Sequence, residues 1–282
     1  MKKSSKIYLI IIILTLFLLC VFFICQNNDI KTTAYTYINN QIPRSFENYK
    51  ILQISDLHNK KFGNNQEYLS KIIKQQSPDI IVITGDLIDK RQPDTQPIKS
   101  LLISLENQYP IYYVTGNHEN ISSKSEELYK ILKSHNVNIL NNDVVKINKD
   151  TQSIYIMGLE DISFYSHDNI SVENKLDNNI KSLKAQIDGF YFALSHRPEQ
   201  MECYKKNEIP LIFTGHAHGG QVRFPFIGGL IAPNQGLFPK YDSGLFFEDN
   251  TTMILSRGLG NSLFPFRVFN QPEIVTVTLH CE

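Results

Sequence analysis

The sequence predicts a layered α/β domain that follows one membrane-spanning helix, and three features support this fold class. An apolar run lies near the N-terminus, short β-branched runs recur after it, and amphipathic stretches of helical period separate those runs. The chain has 282 residues, of which 42% are hydrophobic and 20% charged. It is therefore long enough and apolar enough to bury a core, and an intrinsically disordered chain is excluded.

The first element is the apolar run from Ile7 to Ile24, in which only Tyr8 and Thr15 are polar. As a helix it would be about 27 Å long, close to the roughly 30 Å hydrocarbon core of a bilayer. No small-residue cleavage pattern follows it, so we interpret it as an uncleaved anchor. A buried core helix is the alternative, but so uniform an apolar surface would need packing partners on every side.

The charges around this run predict its orientation. Lys2, Lys3 and Lys6 precede it, whereas Asp29 and Lys31 after it nearly cancel. The positive-inside rule then leaves the N-terminus in the cytoplasm and the following domain outside the cytoplasmic membrane. The predicted parts are a cytoplasmic N-terminus (1–6), a transmembrane anchor (7–25), a juxtamembrane segment with the first strand (26–47) and one domain (48–282).

Short apolar runs after the anchor have the length and composition of strands buried on both faces. Five of them, 51–54, 80–83, 111–114, 191–194 and 211–213, end in residues that can bind a metal or transfer a proton. Those endings are Ser55-Asp56-Leu57-His58, Thr84-Gly85-Asp86, Thr115-Gly116-Asn117-His118, Ser195-His196 and Thr214-Gly215-His216-Ala217-His218. Because ligands collect beyond the carboxyl ends of such strands, we expect these residues to converge. Two further runs, 154–157 and 253–256, continue the series.

Amphipathic stretches between the strands predict three helices. The first covers 66–76, the second begins near Pro97, and the third covers 123–135, opened by the S-x-x-E pattern of a capping box. The segment 168–184 is polar and predicts no defined element. Strands that alternate with helices in this way are typical of a layered α/β domain.

The residues at the strand ends are the types that a dinuclear metal centre needs. Asp56-x-His58 offers an oxygen and a nitrogen at one strand end, and Gly85 lets the chain turn so that the Asp86 carboxylate can bridge two cations. The set of carboxylates, imidazoles and one amide suits two divalent ions, and Mn, Fe and Zn all accept such ligands. Two ions about 3.5–4 Å apart clamp a phosphoryl group and lower the pKa of a bound water toward about 7, so that hydroxide becomes the nucleophile. The candidate metal ligands are Asp56, His58, Asp86, Asn117, His196, His216 and His218.

Charge and cysteine content argue against two other classes of protein. Lys and Arg number 28, as do Asp and Glu, so no bulk positive field favours nucleic acid, and we predict neither a nucleic-acid nor a protein partner. Cys20 and Cys25 lie in or beside the apolar run, which leaves only Cys203 and Cys281, too few for a disulfide framework. We expect two unpaired thiols, with a single Cys203–Cys281 bridge as the alternative.

The ordered motifs resemble the signature of the calcineurin-like metallophosphoesterases. They are Asp56-x-His58, Gly85-Asp86, Gly116-Asn117-His118-Glu119, His196 and Gly215-His216-x-His218. A second group resembles the bacterial, membrane-associated branch of that family: Gly219-Gly220-Gln221, Pro233-Asn234-Gln235-Gly236, Ser256-Arg257-Gly258-Leu259-Gly260 and Pro272-Glu273-Ile274. The fold implied by the resemblance is a four-layer αββα sandwich.

The resemblance also implies a role for each ligand. Two metal ions would each have their own ligand set, with one shared carboxylate between them. The sets are Asp56, His58 and His218 for the first ion, Asn117, His196 and His216 for the second, and Asp86 as the bridge. His118 would stabilise the transition state or protonate the leaving oxygen.

Charged residues next to these motifs have two interpretations each. Asp89 and Glu119 either hydrogen-bond a metal ligand or act as a helix cap or surface group. Arg197 and Arg257 are candidates for binding phosphate oxygens, with surface ion pairing as the alternative. Asp161 either approaches the pocket or is a loop carboxylate, which is the simpler interpretation.

The segments that follow the last candidate ligand are apolar. They comprise residues 224–231, 237–238 and 264–269. One interpretation is an apolar lip that faces the bilayer and accepts a lipid tail or headgroup. We favour packing onto the sandwich, because apolar residues are mostly found in cores.

Three functions fit this sequence. The first is a membrane-anchored dinuclear-metal phosphohydrolase, with its catalytic domain outside the cytoplasmic membrane, that cleaves a phosphoester or pyrophosphate of an envelope or lipid-linked substrate. The second is a phosphatase or phosphodiesterase of soluble nucleotides or sugar phosphates. The third is a non-catalytic, metal-stabilised scaffold, and His118 argues against it because a scaffold needs no proton donor beside the metals.

Overall fold

The computed structural model describes residues 3–106, 108–165, 171–262 and 264–282, with side chains from Lys6 onward. Its first element is helix α1 (Lys3–Asn28). Within Lys6–Asn28, an 18-residue window of α1 has a mean hydropathy of 3.3, and no residue of that window is buried by the rest of the described protein. By length and composition α1 can cross a membrane. Lys2, on which the predicted orientation partly depends, lies outside the described residues.

The strands form two six-stranded sheets and two small hairpins. In chain order they are β1 (Lys31–Ile38), β2 (Tyr49–Ile54), β3 (Ile80–Thr84), β4 (Ile111–Val114), β5 (Asn138–Ile139), β6 (Asp143–Lys149), β7 (Gln152–Gly158), β8 (Tyr191–Leu194), β9 (Leu211–Thr214), β10 (Arg223–Phe224), β11 (Gly228–Gly229), β12 (Ile231–Ala232), β13 (Gly236–Leu237), β14 (Gly244–Glu248), β15 (Thr251–Leu255) and β16 (Glu273–His280). The first sheet has the order β1-β16-β2-β3-β4-β5, and the second has the order β14-β15-β9-β8-β7-β6.

The central strands of both sheets are parallel and buried on both faces. β2 to β5 run parallel in the first sheet, and β7, β8, β9 and β15 run parallel in the second. Alternate side chains of each strand point to opposite faces, so Ile51, Val82 and Tyr112 face the second sheet, whereas Leu52 and Ile81 face outward. A continuous apolar core therefore lies between the two sheets.

Helices cover the outer face of each sheet. They are α2 (Glu67–Gln76), α3 (Gln96–Leu105), α4 (Asn117–Ile121), α5 (Ser125–Ser134), α6 (Val172–Lys184) and α7 (Met201–Lys206). Buried residues of α2, α3 and α5 form one outer core with the first sheet, and those of α6 and α7 form another with the second. The layers are thus αββα, which confirms the predicted fold class.

Two local predictions are wrong. The third predicted helix begins at Ser125 rather than Ser123, its N-cap is Lys124, and no side chain caps it, so the predicted capping box does not form. The segment predicted to lack a defined element contains α6, which buries Leu176 and Ile180 one turn apart. Asp168, at the start of that segment, lies outside the described residues.

The cysteines are unpaired in the part of the chain that the structure describes. Cys20, Cys25, Cys203 and Cys281 are all free. Cys281 instead donates its thiol proton to Glu47 at 2.9 Å. The expectation of two unpaired thiols in the domain is confirmed.

Candidate metal centre

The candidate ligands converge at the carboxyl ends of the parallel strands. Asp56 and His58 follow β2, Asp86 follows β3, Asn117 begins the helix after β4, His196 follows β8, and His216 and His218 follow β9. All except the partly exposed Asn117 are buried. Since the two sheets contribute from opposite sides, the site lies across the top of the inter-sheet core.

The backbone at this site is held in the left-handed region. Asp56, His58, Asp86, His216 and His218 all have φ between 44° and 69°. Such conformations cost a non-glycine residue free energy and persist only where the surrounding structure fixes them. Here they turn each side chain back over the strand ends instead of letting the chain continue straight.

Two glycines bring the loops close enough for this arrangement. Gly85 has a φ of 88°, and a Cβ added there would lie 2.6 Å from the Gly116 nitrogen and 2.8 Å from His196 Nδ1. A Cβ on Gly116 would in turn collide with the Asp86 carboxylate. Glycine is therefore required at both positions for the β3 and β4 loops to approach each other.

We call Asp56, His58 and His218 the first half-site. Nε2 of His58 and Nε2 of His218 lie 3.2 Å apart, and His218 Nε2 lies 3.4 Å from Asp56 Oδ1. The Asp56 carboxylate also accepts the backbone N–H of His216 at 3.1 Å. Nδ1 of both imidazoles is buried and has no hydrogen-bond partner among the described residues.

We call Asn117, His196 and His216 the second half-site. His196 Nε2 lies 3.2 Å from Asn117 Oδ1 and 3.1 Å from His216 Nδ1. Unlike those of the first half-site, both imidazoles here are supported from behind. The carbonyl of Thr84 accepts from His196 Nδ1 at 2.8 Å, and the Asn234 amide donates to His216 Nε2 at 3.0 Å.

Asp86 lies between the two half-sites. Its Oδ2 is 3.5 Å from His58 Nε2 and 3.3 Å from His196 Nε2, while its Oδ1 accepts the backbone N–H of His118 at 2.9 Å. One carboxylate oxygen thus faces one imidazole from each half-site. This is the placement that a bridging ligand needs.

Charge is distributed in the same way in both half-sites. Burial disfavours the charged forms of Asp56 and Asp86, but nearby imidazoles hold the pKa of both carboxyls below the ordinary value. Burial also opposes charge on His196, yet the Asp86 carboxylate outweighs it and raises the pKa of His196 to about 10. The Asp56 carboxylate likewise raises the pKa of His58.

The remaining imidazole of each half-site is neutral. Burial lowers the pKa of His218 to about 3. Burial and repulsion from His196 hold the pKa of His216 well below its ordinary value. His196 is therefore charged in the absence of metal, whereas His216 and His218 are neutral.

These residues fit two divalent cations. In three overlapping groups, Asp56-His58-His218, His58-Asp86-His118 and Asp86-His196-His216, all ligand atoms lie within 4.8 Å of one another. Buried imidazole nitrogens that face each other and a carboxylate form a cation site, because a cation satisfies them together. The mixture of imidazole, carboxylate and amide suits Mn, Fe or Zn.

His118 lies beside both the bridging carboxylate and the cleft. Its ring centroid is 4.5 Å from that of His58, and its Nδ1 accepts the backbone N–H of Lys90 at 3.1 Å. Burial lowers the pKa of His118 to about 4. The neutral ring therefore has its proton on Nε2, where it is available to a substrate in the cleft.

Glu119 supports the loop of a candidate ligand, whereas Asp89 lies near one without forming a hydrogen bond to it. The buried Glu119 carboxylate accepts backbone N–H groups from Asp86 at 2.9 Å and Gly116 at 2.8 Å, so it fixes the loop that holds Asp86. Burial and repulsion from Asp86 raise the pKa of Glu119 to about 7. Asp89 Oδ2 lies 3.9 Å from His58 Nδ1, and the same carboxylate accepts from Arg91.

The two arginines predicted to bind phosphate lie in different places. Arg197 is buried, forms a bidentate pair with Asp161 at 2.6 and 3.1 Å, and has Nη1 3.1 Å from His216 Nε2. Asp161 therefore does approach the site, through Arg197. Arg257 lies behind the first half-site, with Nε 3.8 Å from Glu273 Oε1, and is not among the described residues that line the cleft.

The cleft in front of the half-sites has a volume of about 250 Å³ and is lined in part by Lys90, Arg91, Pro233 and Ser262. Arg91 also lines an adjoining cavity of about 590 Å³ that contains His58 and Asn261. Pro233 belongs to a motif named above, but none of the four residues was predicted from the sequence to line the site. Lys90 and Arg91 follow the Gly85-Asp86 motif within a few positions, and their positive charge suits a phosphate.

A larger cavity of about 690 Å³ lies at the opposite end of the sandwich, near Tyr37 and Pro210. Among the described residues, no cluster of metal-binding side chains is found there. Choosing the site by cavity volume alone would therefore select the end of the sandwich opposite the candidate metal ligands.

The apolar segments after His218 do not pack onto the sandwich as we favoured. Phe226 is fully exposed, and Ile227, Leu237 and Phe238 each expose more than 60% of their surface. Phe264, Phe266 and Phe269 are also exposed. Phe226 and Ile227 lie in the β10–β11 turn, Leu237 and Phe238 at the end of β13, and the three phenylalanines in the loop before β16, all outside the two six-stranded sheets. The packing interpretation is wrong for these residues.

Comparison with known proteins agrees with this geometry. A model of the calcineurin-like phosphoesterase family matches residues 49–220. The uncharacterised metallophosphoesterase Cj0846 of Campylobacter jejuni is 33% identical over 291 residues, which cover 99% of this chain and 72% of that protein. The uncharacterised metallophosphoesterase YkuE of Bacillus subtilis is 28% identical over 257 residues, which cover 89% and 85% of the two chains.

A solved structure is similar in fold. The sulfate thiohydrolase SoxB of Thermus thermophilus, in complex with glycerol, matches with a TM-score of 0.50 and 12% sequence identity. The match covers 85% of this chain but only 57% of the solved one. At this identity the likeness shows the fold alone.

Proposed function

The chain belongs to the calcineurin-like phosphoesterase family of metal-dependent phosphoester hydrolases, and on this premise we propose that it is a membrane-anchored dinuclear phosphohydrolase whose substrate is an envelope or lipid-linked phosphoester or pyrophosphate. The observation that carries the proposal is the shared position of Asp86, one oxygen of which faces an imidazole of each half-site. When bound, two divalent ions supply Lewis-acid chemistry: they neutralise phosphoryl charge and lower the pKa of water.

The residues of the chain then have separate tasks. Asp56, His58 and His218 would hold one ion, Asn117, His196 and His216 would hold the other, and Asp86 would be shared between them. His118 donates a hydrogen bond from Nε2 to the oxygen that leaves and stabilises its developing charge, since the ring is neutral and its Nδ1 accepts the Lys90 backbone N–H. Lys90 and Arg91, at the edge of the cleft, bind the negative charge that remains on the phosphate.

The arginine beside the second half-site acts on a ligand rather than on substrate in this proposal. Arg197 is paired with Asp161 and reaches His216, so it positions that imidazole. Arg257 stays a prediction for substrate binding. It would have to reach past Gly258, which packs against Asp56.

The membrane part of the proposal depends on α1. No residue of its most apolar window is buried in the rest of the described protein, and its length matches a bilayer. With the N-terminus in the cytoplasm, the catalytic domain lies on the outer side of the cytoplasmic membrane. Phosphorylated headgroups of that leaflet are then the substrates nearest to the cleft.

The test uses the full chain in detergent, stripped of metal and reloaded with Mn, Zn or Fe. Hydrolysis of nitrophenyl phosphate mono- and diesters is measured beside an Asp86→Asn variant. We expect two ions per chain and metal-dependent turnover that the variant lacks. Two bound ions without turnover on any ester would contradict the hydrolase proposal and favour the scaffold.

A further inference from the structure

The exposed apolar side chains near the cleft form one continuous surface, which we call the aromatic rim and define as residues 224–238 and 264–269. It contains the β10–β11 hairpin, the β12–β13 hairpin and the loop before β16. Phe226 at the tip of the first hairpin is fully exposed, and Leu237 and Phe238 are largely exposed. Contiguous apolar surfaces of this kind mark sites of interaction in a folded protein.

The parts of the rim are joined to one another. Val222 pairs with Val268 in an isolated bridge, and the backbone N–H of Arg223 donates to the Val268 carbonyl at 2.9 Å. The second hairpin is joined to the first through Leu230, whose N–H donates to Val222 at 2.8 Å. The rim therefore has a fixed shape rather than three independent loops.

The rim is continuous with the end of α1. The ring centroids of Phe22 and Phe269 are 5.4 Å apart, as are those of Phe23 and Phe266. Hydrogen bonds fix the junction: the backbone N–H of Asn270 donates to Gln26 Oε1 at 3.0 Å. Asn261 donates to Asn27 Oδ1 at 3.1 Å.

The position of these contacts along α1 indicates what surrounds the rim. A hydrocarbon core about 30 Å thick takes about 20 helical residues. Counted from Ile7, Phe22 and Phe23 fall inside that length, so Phe266 and Phe269 lie at the edge of the hydrocarbon layer. A surface held against a spanning helix at that level is in contact with lipid.

We propose that the aromatic rim is a second membrane contact, inserted in the leaflet that holds the C-terminal end of α1. The two contacts together hold the metal cleft at the level of the lipid headgroups. The β12–β13 turn carries Asn234, which contacts His216, so the rim and the second half-site are parts of one structure. This inference rests on the proposed spanning role of α1. The partner is a bilayer rather than a protein, because the rim contacts the spanning helix at the end where that helix leaves the bilayer.

The test exploits the absence of tryptophan from the chain. Phe226→Trp and Phe238→Trp each place a single fluorophore in the rim. Phe247→Trp is the matched control, since Phe247 is 69% exposed but lines the cavity at the opposite end of the sandwich. Each full-length variant is placed in nanodiscs made with lipids brominated along the acyl chain, and in the same nanodiscs without bromine.

We expect bromine to reduce the emission of both rim variants by roughly half or more, because apolar surfaces of this kind enter about 5–10 Å into the bilayer. The Phe247→Trp control should keep its emission. Equal emission from rim and control variants, in chains that co-migrate with nanodiscs, would overturn the inference and leave the spanning role of α1 intact.

Chains that fail to co-migrate with nanodiscs would overturn both the inference and the membrane part of the proposed function. Metal-dependent hydrolysis of nitrophenyl phosphate by the same samples reports the hydrolase separately. If one rim substitution prevents folding, the other carries the measurement, since the two residues lie on different segments.

Discussion

The two half-sites use similar ligand atoms but are supported differently. In the second, the Thr84 carbonyl and the Asn234 amide contact the imidazoles from behind, whereas Nδ1 of His58 and of His218 in the first has no partner among the described residues. Such outer contacts fix ring orientation and raise metal affinity. The protein itself thus holds the imidazoles of the second half-site in place, whereas those of the first depend more on a bound ion for a fixed orientation.

The largest effect should come from the residue that both half-sites share. Asp86→Asn removes the bridging charge, and we expect kcat/KM for nitrophenyl phosphate to fall by about a thousandfold, or roughly 4 kcal/mol of transition-state stabilisation. Asp249→Asn, an exposed carboxylate paired with Lys205 at 3.6 Å and remote from the cleft, is the control and should change activity little. A fall of only a few fold at Asp86 would show that the half-sites work independently.

A substitution of His118 tests what this residue contributes beside the two half-sites. His118→Ala should slow hydrolysis of alkyl phosphates by about a hundredfold, because one donor that stabilises developing negative charge contributes about 10²–10³ in rate. Nitrophenyl leaving groups carry their charge without such help and should be slowed far less. Steady-state kinetics on both substrates, with His135→Ala as the control, measures the difference. Equal losses on the two substrates would assign His118 to the phosphoryl oxygens instead of the leaving oxygen.

Both half-sites should bind metal more tightly as the pH rises. The pKa of His196 is raised to about 10, so this imidazole is protonated near neutral pH without metal; the pKa of His58 is also raised, whereas those of His216 and His218 are lowered. The ion of the second half-site must therefore displace about one proton, and loading should release at least that proton at pH 7. Affinity for this ion then rises about tenfold per pH unit below about pH 10. Calorimetry in buffers of different ionisation enthalpy counts the protons, and release of none would contradict this distribution of charge.

A matched set of variants isolates the difference in support. His218→Ala leaves only the second half-site intact, and His196→Ala leaves only the first. We expect the His218→Ala variant to bind its single ion about tenfold more tightly than the His196→Ala variant binds its own. Adding Asn234→Ala to His218→Ala should abolish most of that difference, whereas adding Asn250→Ala, in a turn at the far end, should not. Metal content after titration with a chelator reports both affinities, and equal affinities at the outset would refute the comparison.

The strands were predictable because they are buried on both faces. The bounds of β4 and β8 match the predicted runs, and β2, β3 and β9 differ by one or two residues at one end. Helix α6 was missed because its few apolar residues, such as Leu176 and Ile180, are separated by polar ones that face solvent. Its position depends on the second sheet rather than on its own composition.

The convergence of the candidate ligands was predictable for a related reason. Each ligand directly follows a strand or lies within a few residues of its end, so the sheet determines where the side chain goes. Arg91 and Asn234 reach the cleft through loops, and neither periodicity nor composition describes the path of a loop. The exposure of Phe226 was missed because the rule that apolar residues lie in cores was applied to a residue at the tip of a hairpin.

The short connection between α1 and the first sheet limits how the protein meets its substrate. Only Asp29 and Ile30 separate α1 from β1, and Ile30 packs against the outer core of the first sheet. Two residues span at most about 7 Å, so the domain has almost no freedom to swing about α1. If α1 spans the membrane and the substrate is lipid-linked, as proposed, encounters would be two-dimensional. Substrate molecules would diffuse laterally in the leaflet to a cleft of fixed orientation, and turnover would depend on their surface density rather than on a concentration in solution.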